Sequence, residues 1–171
     1  MAEKNPRILC LDDHEHNLRI RKMLLEQFGC DVTPVTSAQE CLRAATGSAF
    51  DLVLLDYHLG GKETNGEDVA KDLHACLPNV PLIMLTGDPD IPDSARTCVD
   101  ALLIKGESNP GDLLRTIQFL LPGYDLRERH ESIVSSIFPD AKPATQEGLR
   151  QVRRPSEREK SPVPWYRTKG S

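Results

Sequence analysis

The chain has 171 residues, 39% of them hydrophobic, and a formal net charge of −5. It contains no run of 18 apolar residues, which excludes a helical membrane span, and MAEKNPRILC lacks the apolar stretch of a secretory leader, so a cytoplasmic protein is expected. The charge is uneven: residues 1–121 hold 11 Lys+Arg against 19 Asp+Glu, and residues 122–171 hold 10 against 7, an acidic body that argues against nucleic-acid binding.

Ile8–Leu11 is the first of four short, continuous apolar runs; the others are Leu52–Leu55, Leu82–Leu85 and Leu102–Ile104. Runs that do not alternate read as strands covered on both faces, as in a parallel sheet under helices. After the first run, Ile20, Leu24, Leu25 and Phe28 share a helical face. Asp31–Val35 is a fifth strand, and Pro34 inside it assigns it to a sheet edge, because proline cannot donate to a ladder. Ser37 and Glu40 form a capping box before Ala38, Cys41, Leu42 and Ala45. Val69, Leu73, Cys76 and Leu77 repeat the helical spacing. Asn109 as N-cap and Pro110 at the first helical position open a stripe of Leu113, Leu114, Ile117, Leu120 and Leu121. The alternation predicts an α/β fold: a flavodoxin-like, doubly wound, five-stranded parallel sheet in the order 2-1-3-4-5.

Beyond Leu121 six prolines punctuate the chain, and only Ile133, Val134, Ile137 and Phe138 cluster. The expectation is a domain over 5–121 and, over 122–171, a linker and mostly disordered Pro-rich basic tail with at most one short helix. The lone Trp165 in that tail reads as unstructured, with a short docking motif as the alternative. Five cysteines (Cys10, Cys30, Cys41, Cys76 and Cys98) show no C-x-x-C pair and read as buried free thiols.

Polar residues close each strong run: Asp12-Asp13, Asp56, Thr86-Gly87 and Lys105. Carboxyl ends of parallel strands share one rim, so three carboxylates, a hydroxyl and an ammonium should converge in one crevice. Converging carboxylates call for a cation, and hard oxygen donors select Mg²⁺. A carboxylate beside such an ion can attack phosphorus, while Thr86, the Gly87 amide and Lys105 stabilise the phosphoryl oxygens. His14 and His16 read as residues of a solvated helix turn, since a zinc role needs a cluster that the sequence does not show.

Asp12-Asp13, Asp56, Thr86 and Lys105, each after its strand, resemble the receiver domain of two-component response regulators over roughly residues 5–121. The resemblance implies Asp56 as phosphoacceptor. It implies Mg²⁺ held by Asp13, Asp56 and the His58 carbonyl, with Asp12 acting largely through water. It makes Thr86 the switch hydroxyl, Lys105 the phosphate-sensing lysine, and a histidine kinase or phosphotransfer protein the donor. His58 and Asp88 occupy the places that border the path of the hydrolytic water and so tune phosphoryl lifetime.

Three departures stand out. Leu102 replaces the usual aromatic switch residue. Gly106 replaces the usual proline after the lysine, so a trans Lys105–Gly106 bond is expected. The 56–66 segment is longer and lacks its proline, while 86–105 is shorter and carries two prolines in its helix. The leading reading is a single-domain response regulator, a phosphoacceptor module and not an enzyme with an outside substrate, that switches an unknown downstream protein. A degenerate receiver acting independently of phosphorylation and a metal-dependent phosphatase or phosphotransferase are the alternatives.

Overall fold

The computed structural model describes residues 5–60, 65–124 and 126. The cluster at 133–138, Trp165 and the disorder expected of the basic tail lie outside them. Ten elements alternate along the chain: β1 (Arg7–Leu11), α1 (Glu15–Gln27), β2 (Asp31–Val35), α2 (Ala38–Gly47), β3 (Leu52–Asp56), α3 (Gly66–Cys76), β4 (Leu82–Thr86), α4 (Asp93–Thr97), β5 (Ala101–Ile104) and α5 (Pro110–Leu120). All five strands are parallel, in the order β2-β1-β3-β4-β5, as the sequence predicts. Pro34 pairs with Cys10 on the outer strand β2, where its missing N–H can face away from the ladder.

Side chains alternate between the two faces of each inner strand, and both faces are covered. On one side Ile8, Cys10, Leu52, Leu54, Ile83 and Leu85 meet α1 and α5. On the other Leu9, Leu11, Val53, Leu55, Leu82 and Met84 meet α2, α3 and α4. The double coverage is why the strands read as unbroken apolar runs. The first side continues past α5: Leu126 is buried there, and the Gln118 carboxamide accepts from its N–H while donating to the Tyr124 carbonyl, both at 2.8 Å. No helix among the described residues is long and apolar enough to cross a membrane.

Two details of the sequence reading are corrected. The inward arc of α1 is Leu18, Leu25 and Phe28, whereas Ile20 is 54% exposed. At 100° per residue Ile20 stands about 160° round the helix from Leu18, too far for one apolar stripe. Arg21 does fall within that arc. Cys10, Cys30 and Cys41 are buried, but Cys98 is half-buried and Cys76 exposed. Cys76 lies at the margin of the arc set by Val69, Ala70 and Leu73, in the last turn, just before the chain leaves the helix at Leu77.

The helix starts follow local chemistry. Ser37 accepts from the Glu40 N–H, while the Glu40 carboxylate reaches one residue further back than the sequence suggests, to the N–H and hydroxyl of Thr36. Asn109 and Asp112 complete a reciprocal box at α5, with Pro110 in its first turn.

Candidate functional site

The strand register builds the site. Leu11 pairs with Leu55, Asp56 with Leu85, and Thr86 with Ile104, so Asp12, Asp56, Thr86 and Lys105 leave neighbouring strands along one rim. Asp56 ends β3 and Thr86 ends β4, whereas Asp12 and Lys105 each stand one residue beyond their strand. Of the residues expected to converge, these four share the rim.

Asp12, Asp56 and Thr86 are all buried, at 0%, 3% and 0% exposure. Lys105 Nζ donates to Asp56 Oδ2 at 2.6 Å and lies 3.8 Å from Asp12 Oδ2, tying the two carboxylates to one ammonium. The other Asp56 oxygen, Oδ1, is buried with no hydrogen-bond partner. Burial lifts the Asp56 carboxyl above the ordinary carboxylate range; the Lys105 ammonium opposes this and the Asp12 charge reinforces it.

Asp12 goes the other way. Burial would raise it, but the His14 N–H, the Arg21 guanidinium and the Asn17 carboxamide together outweigh that and hold it low. Their distances are 2.9 Å for the His14 N–H, 2.5 Å for Arg21 Nη1, and 3.2 Å from Asn17 Nδ2 to each oxygen. Asn17 and Arg21 were not singled out in the sequence. The available signal was a polar pair four residues apart, flanking Leu18 and in step with Leu25, where an arc facing β1 should be apolar. Cys10 lies beneath this pair, and burial pushes its thiol up to about 11, so it stays protonated at neutral pH.

Asp13 is part exposed, and its Oδ1 lies 2.8 Å from His14 Nδ1. One donor atom from each of Asp12, Asp13 and His14 lies within 4.8 Å of the others. His14, expected merely on a solvated turn, therefore joins the acidic pair; His16 is exposed on α1. Glycines on either side of the loop after β3 pack closely against this side of the pocket. A Cβ at Gly60 would come within 2.5 Å of Asp13 Oδ2, and one at Gly66 within 2.6 Å of the Asp56 carbonyl and 2.8 Å of Tyr57 Cα. The Gly66 N–H donates to the Tyr57 carbonyl at 2.8 Å, fastening the start of α3 beside Asp56.

Thr86 Oγ1 accepts from the Asp88 N–H at 3.0 Å and donates to the Asp88 carbonyl at 3.1 Å, so the hydroxyl is held by the loop that leads to α4. Gly87 is exposed, and a Cβ there would meet nothing within 4 Å. The Asp88 carboxylate accepts from the Asp90 N–H at 2.8 Å. His58 is exposed, its ring edge-on to Tyr57 with centroids 4.9 Å apart. Leu102 is buried among Ile91, Ala95 and Val99. No peptide bond among the described residues is cis, so Lys105–Gly106 is trans, and Gly106 turns the chain with φ +90°. The fourth helix is only five residues long, entered through Pro92.

The pocket's chemistry fits a divalent cation. It offers two carboxylates beside an imidazole, and a third carboxylate with a buried oxygen that no protein group satisfies.

Comparisons with known proteins agree with the fold. The chain is 32% identical over 102 residues to the sensory/regulatory protein RpfC of Xanthomonas campestris pv. campestris, covering 57% of this chain and 14% of RpfC. It is 33% identical over 101 residues to the alginate biosynthesis transcriptional regulatory protein AlgB of Pseudomonas aeruginosa, covering 59% of this chain and 21% of AlgB. The chain thus spans only a small part of these curated relatives. A CheY-like receiver domain crystal structure from Methanospirillum hungatei JF-1 superimposes with a TM-score of 0.61 at 28% identity, covering 75% of this chain and 99% of that one. The profile of the response regulator receiver domain matches residues 8–104, the stretch that carries β1 to β5 and nearly the whole rim. With fold, rim and profile coinciding, the chain belongs to the response regulator receiver domain family.

Proposed function

We propose that this chain is a Mg²⁺-dependent phosphoacceptor switch, taking a phosphoryl group on Asp56 from a histidine kinase or phosphotransfer protein and changing its hold on a downstream protein. The observation that carries the reading is Asp56 itself: one oxygen clamped by Lys105, the other buried and unsatisfied. The clamp fixes the carboxylate for attack on phosphorus, and the unpartnered Oδ1 is left open to the cation. The new bond from an Asp56 carboxylate oxygen to phosphorus forms as the bond from phosphorus to the donor's imidazole nitrogen breaks, and the departing imidazole takes up a proton. Asp12, Asp13, Asp56 and the His58 carbonyl would hold Mg²⁺, which when bound neutralises charge on the phosphoryl oxygens.

Thr86 then has an acceptor to compete with Asp88. Turning its hydroxyl toward a phosphoryl oxygen gives up the 3.1 Å bond to the Asp88 carbonyl and loosens the loop before α4. The Gly87 N–H offers a second donor, and the absence of close neighbours leaves room for it to turn. Lys105 shifts its charge from carboxylate to phosphoryl. With Leu102 in place of an aromatic ring, this chain's readout runs through the loop and the short α4. His58 and Asp88 flank the site and set how fast water removes the phosphoryl group, His58 by positioning that water.

The receiver unit in this reading covers 5–121 with Tyr124 and Leu126 packed on its edge. In this reading the receiver unit is itself the switch, acting on a downstream protein through its own surface. Its free cysteines suit a reducing cytoplasm.

One observation favours a phosphorylation-independent interaction module instead: Arg21 already supplies Asp12 with a permanent cation at 2.5 Å. Incubation with acetyl phosphate and Mg²⁺ separates the readings. A stable adduct of one phosphoryl group per chain, absent without divalent cation, is expected. No adduct under any condition would support the phosphorylation-independent module. Multiple turnover of an added phosphate ester would make the chain a phosphatase.

A further inference from the structure

We propose that His14 is a nitrogen ligand of the pocket's cation and sets its metal preference, drawing the site toward borderline ions such as Co²⁺ and Ni²⁺ and away from strict selection of Mg²⁺. The proposal rests on the reading of Asp12, Asp13 and Asp56 as a cation site. Three observations carry it.

The first is geometric. His14 Nδ1 lies 2.8 Å from Asp13 Oδ1 and 3.6 Å from Asp12 Oδ1. Neighbouring ligands of an octahedral ion with bonds of about 2.1 Å are about 3 Å apart, so the imidazole already sits at roughly a ligand's distance from both carboxylates. The second is the buried Asp56 Oδ1, which is independent of the acidic pair and has no partner in the protein. Lys105, in contact with Asp56 at 2.6 Å and with Asp12 at 3.8 Å, places that oxygen's carboxylate in the same pocket.

The third is that the His14 side chain does not serve the helix, and its protein partners are the acidic pair itself. It occupies the N-cap of α1 without making a side-chain cap, where Ser, Asn or Asp would serve the helix better. Its side chain is 69% exposed, so it can turn onto an ion without disturbing the core. Its backbone is nonetheless anchored at the site, the N–H donating to Asp12 Oδ1 at 2.9 Å. Carboxylate and carbonyl oxygens alone suit Mg²⁺; an added imidazole suits later first-row ions, whose affinity for nitrogen rises along the series.

The test uses the full chain loaded with Mn²⁺. Pulsed electron paramagnetic resonance reads ¹⁴N coupling from a directly bound imidazole, and calorimetry reads affinity for Mg²⁺, Co²⁺ and Ni²⁺. The expected result is a ¹⁴N signal that disappears in His14→Ala and survives in His16→Ala and His58→Ala. In His14→Ala, affinity for Co²⁺ and Ni²⁺ should fall about tenfold or more while that for Mg²⁺ changes by less than about threefold. Circular dichroism confirms that the variants are folded. A ¹⁴N signal retained in His14→Ala overturns the proposal. So does its absence from the wild type when Asp13→Ala still abolishes Mn²⁺ binding, a result that leaves the cation site standing and removes only His14. Mn²⁺ binding unaffected by Asp13→Ala overturns both the site and the proposal.

Discussion

Asp56→Asn should make the metal-free protein more stable at neutral pH, although it removes one of the most buried polar contacts in the molecule. The Asp56 carboxylate is 3% exposed, one oxygen has no partner, and Asp12 adds a like charge that reaches the same ammonium. A buried unsatisfied group costs about 1–3 kcal/mol. The Lys105 pair recovers part of that, but exchanging a buried ion pair for neutral groups of similar size is often neutral or stabilising by about 1–4 kcal/mol. Lys105 is 34% exposed, so after the substitution it can turn to water or to Asp12 and is not stranded. The net expectation is a gain of about 1–2 kcal/mol, or roughly 3–8 °C in Tm for a domain of this size.

The sign of the pH dependence follows from the raised Asp56 carboxyl. A raised carboxyl binds its proton more tightly in the folded state, so the wild type is penalised above that pKa and relieved below it. The gap between Asp56→Asn and wild type should therefore be widest near neutral pH and shrink as pH falls through the raised value. Thermal melts in chelator across the acid range measure it, with Mg²⁺ expected to narrow the gap at neutral pH by binding the wild type better. An equal or lower Tm for Asp56→Asn at neutral pH, or a gap independent of pH, would refute the reasoning.

Three further substitutions probe what holds the site. Arg21→Ala strips the buried Asp12 carboxylate of its guanidinium and should cost about 3 kcal/mol in chelator, with millimolar Mg²⁺ recovering part of the loss; a chemical-denaturation series with and without the ion checks both. Gly66→Ala drives a methyl group against the Asp56 carbonyl and the Tyr57 backbone, so a loss of about 1–3 kcal/mol by denaturation is expected, together with weaker Mg²⁺ binding. Asn109→Ala removes one arm of the capping box at α5 and should lower stability by about 1 kcal/mol without altering the Mg²⁺ response, which separates a fold residue from a site residue.

The rim was legible in the sequence because parallel, doubly covered strands announce themselves as unbroken apolar runs, and the residue after each run must land on the same edge. Pro34 located the outer strand for a similarly local reason. What escaped was anything set by rotation about a helix axis. Ile20 carries the hydrophobicity of a core residue and points outward, whereas Arg21 carries a charge and points inward, because only Asp12 across the α1–β1 contact makes that burial tolerable. The meeting of His14 with Asp13 was hidden similarly. It depends on how the chain turns between β1 and α1, with extended backbone at His14, and neighbouring residues in a sequence need not share a face. The grip of Thr86 on Asp88 depends likewise on the path of one loop.

The central claim is that Asp56 is the atom-level acceptor of the phosphoryl group. The most direct measurement is to phosphorylate the full chain with acetyl phosphate and Mg²⁺, reduce the acyl phosphate with borohydride, and locate the reduced residue by peptide mass spectrometry. The account predicts a single reduced site at position 56, lost in Asp56→Asn. A label that maps to Asp12, Asp13 or any other residue, or that persists at the wild-type level in Asp56→Asn, would contradict it.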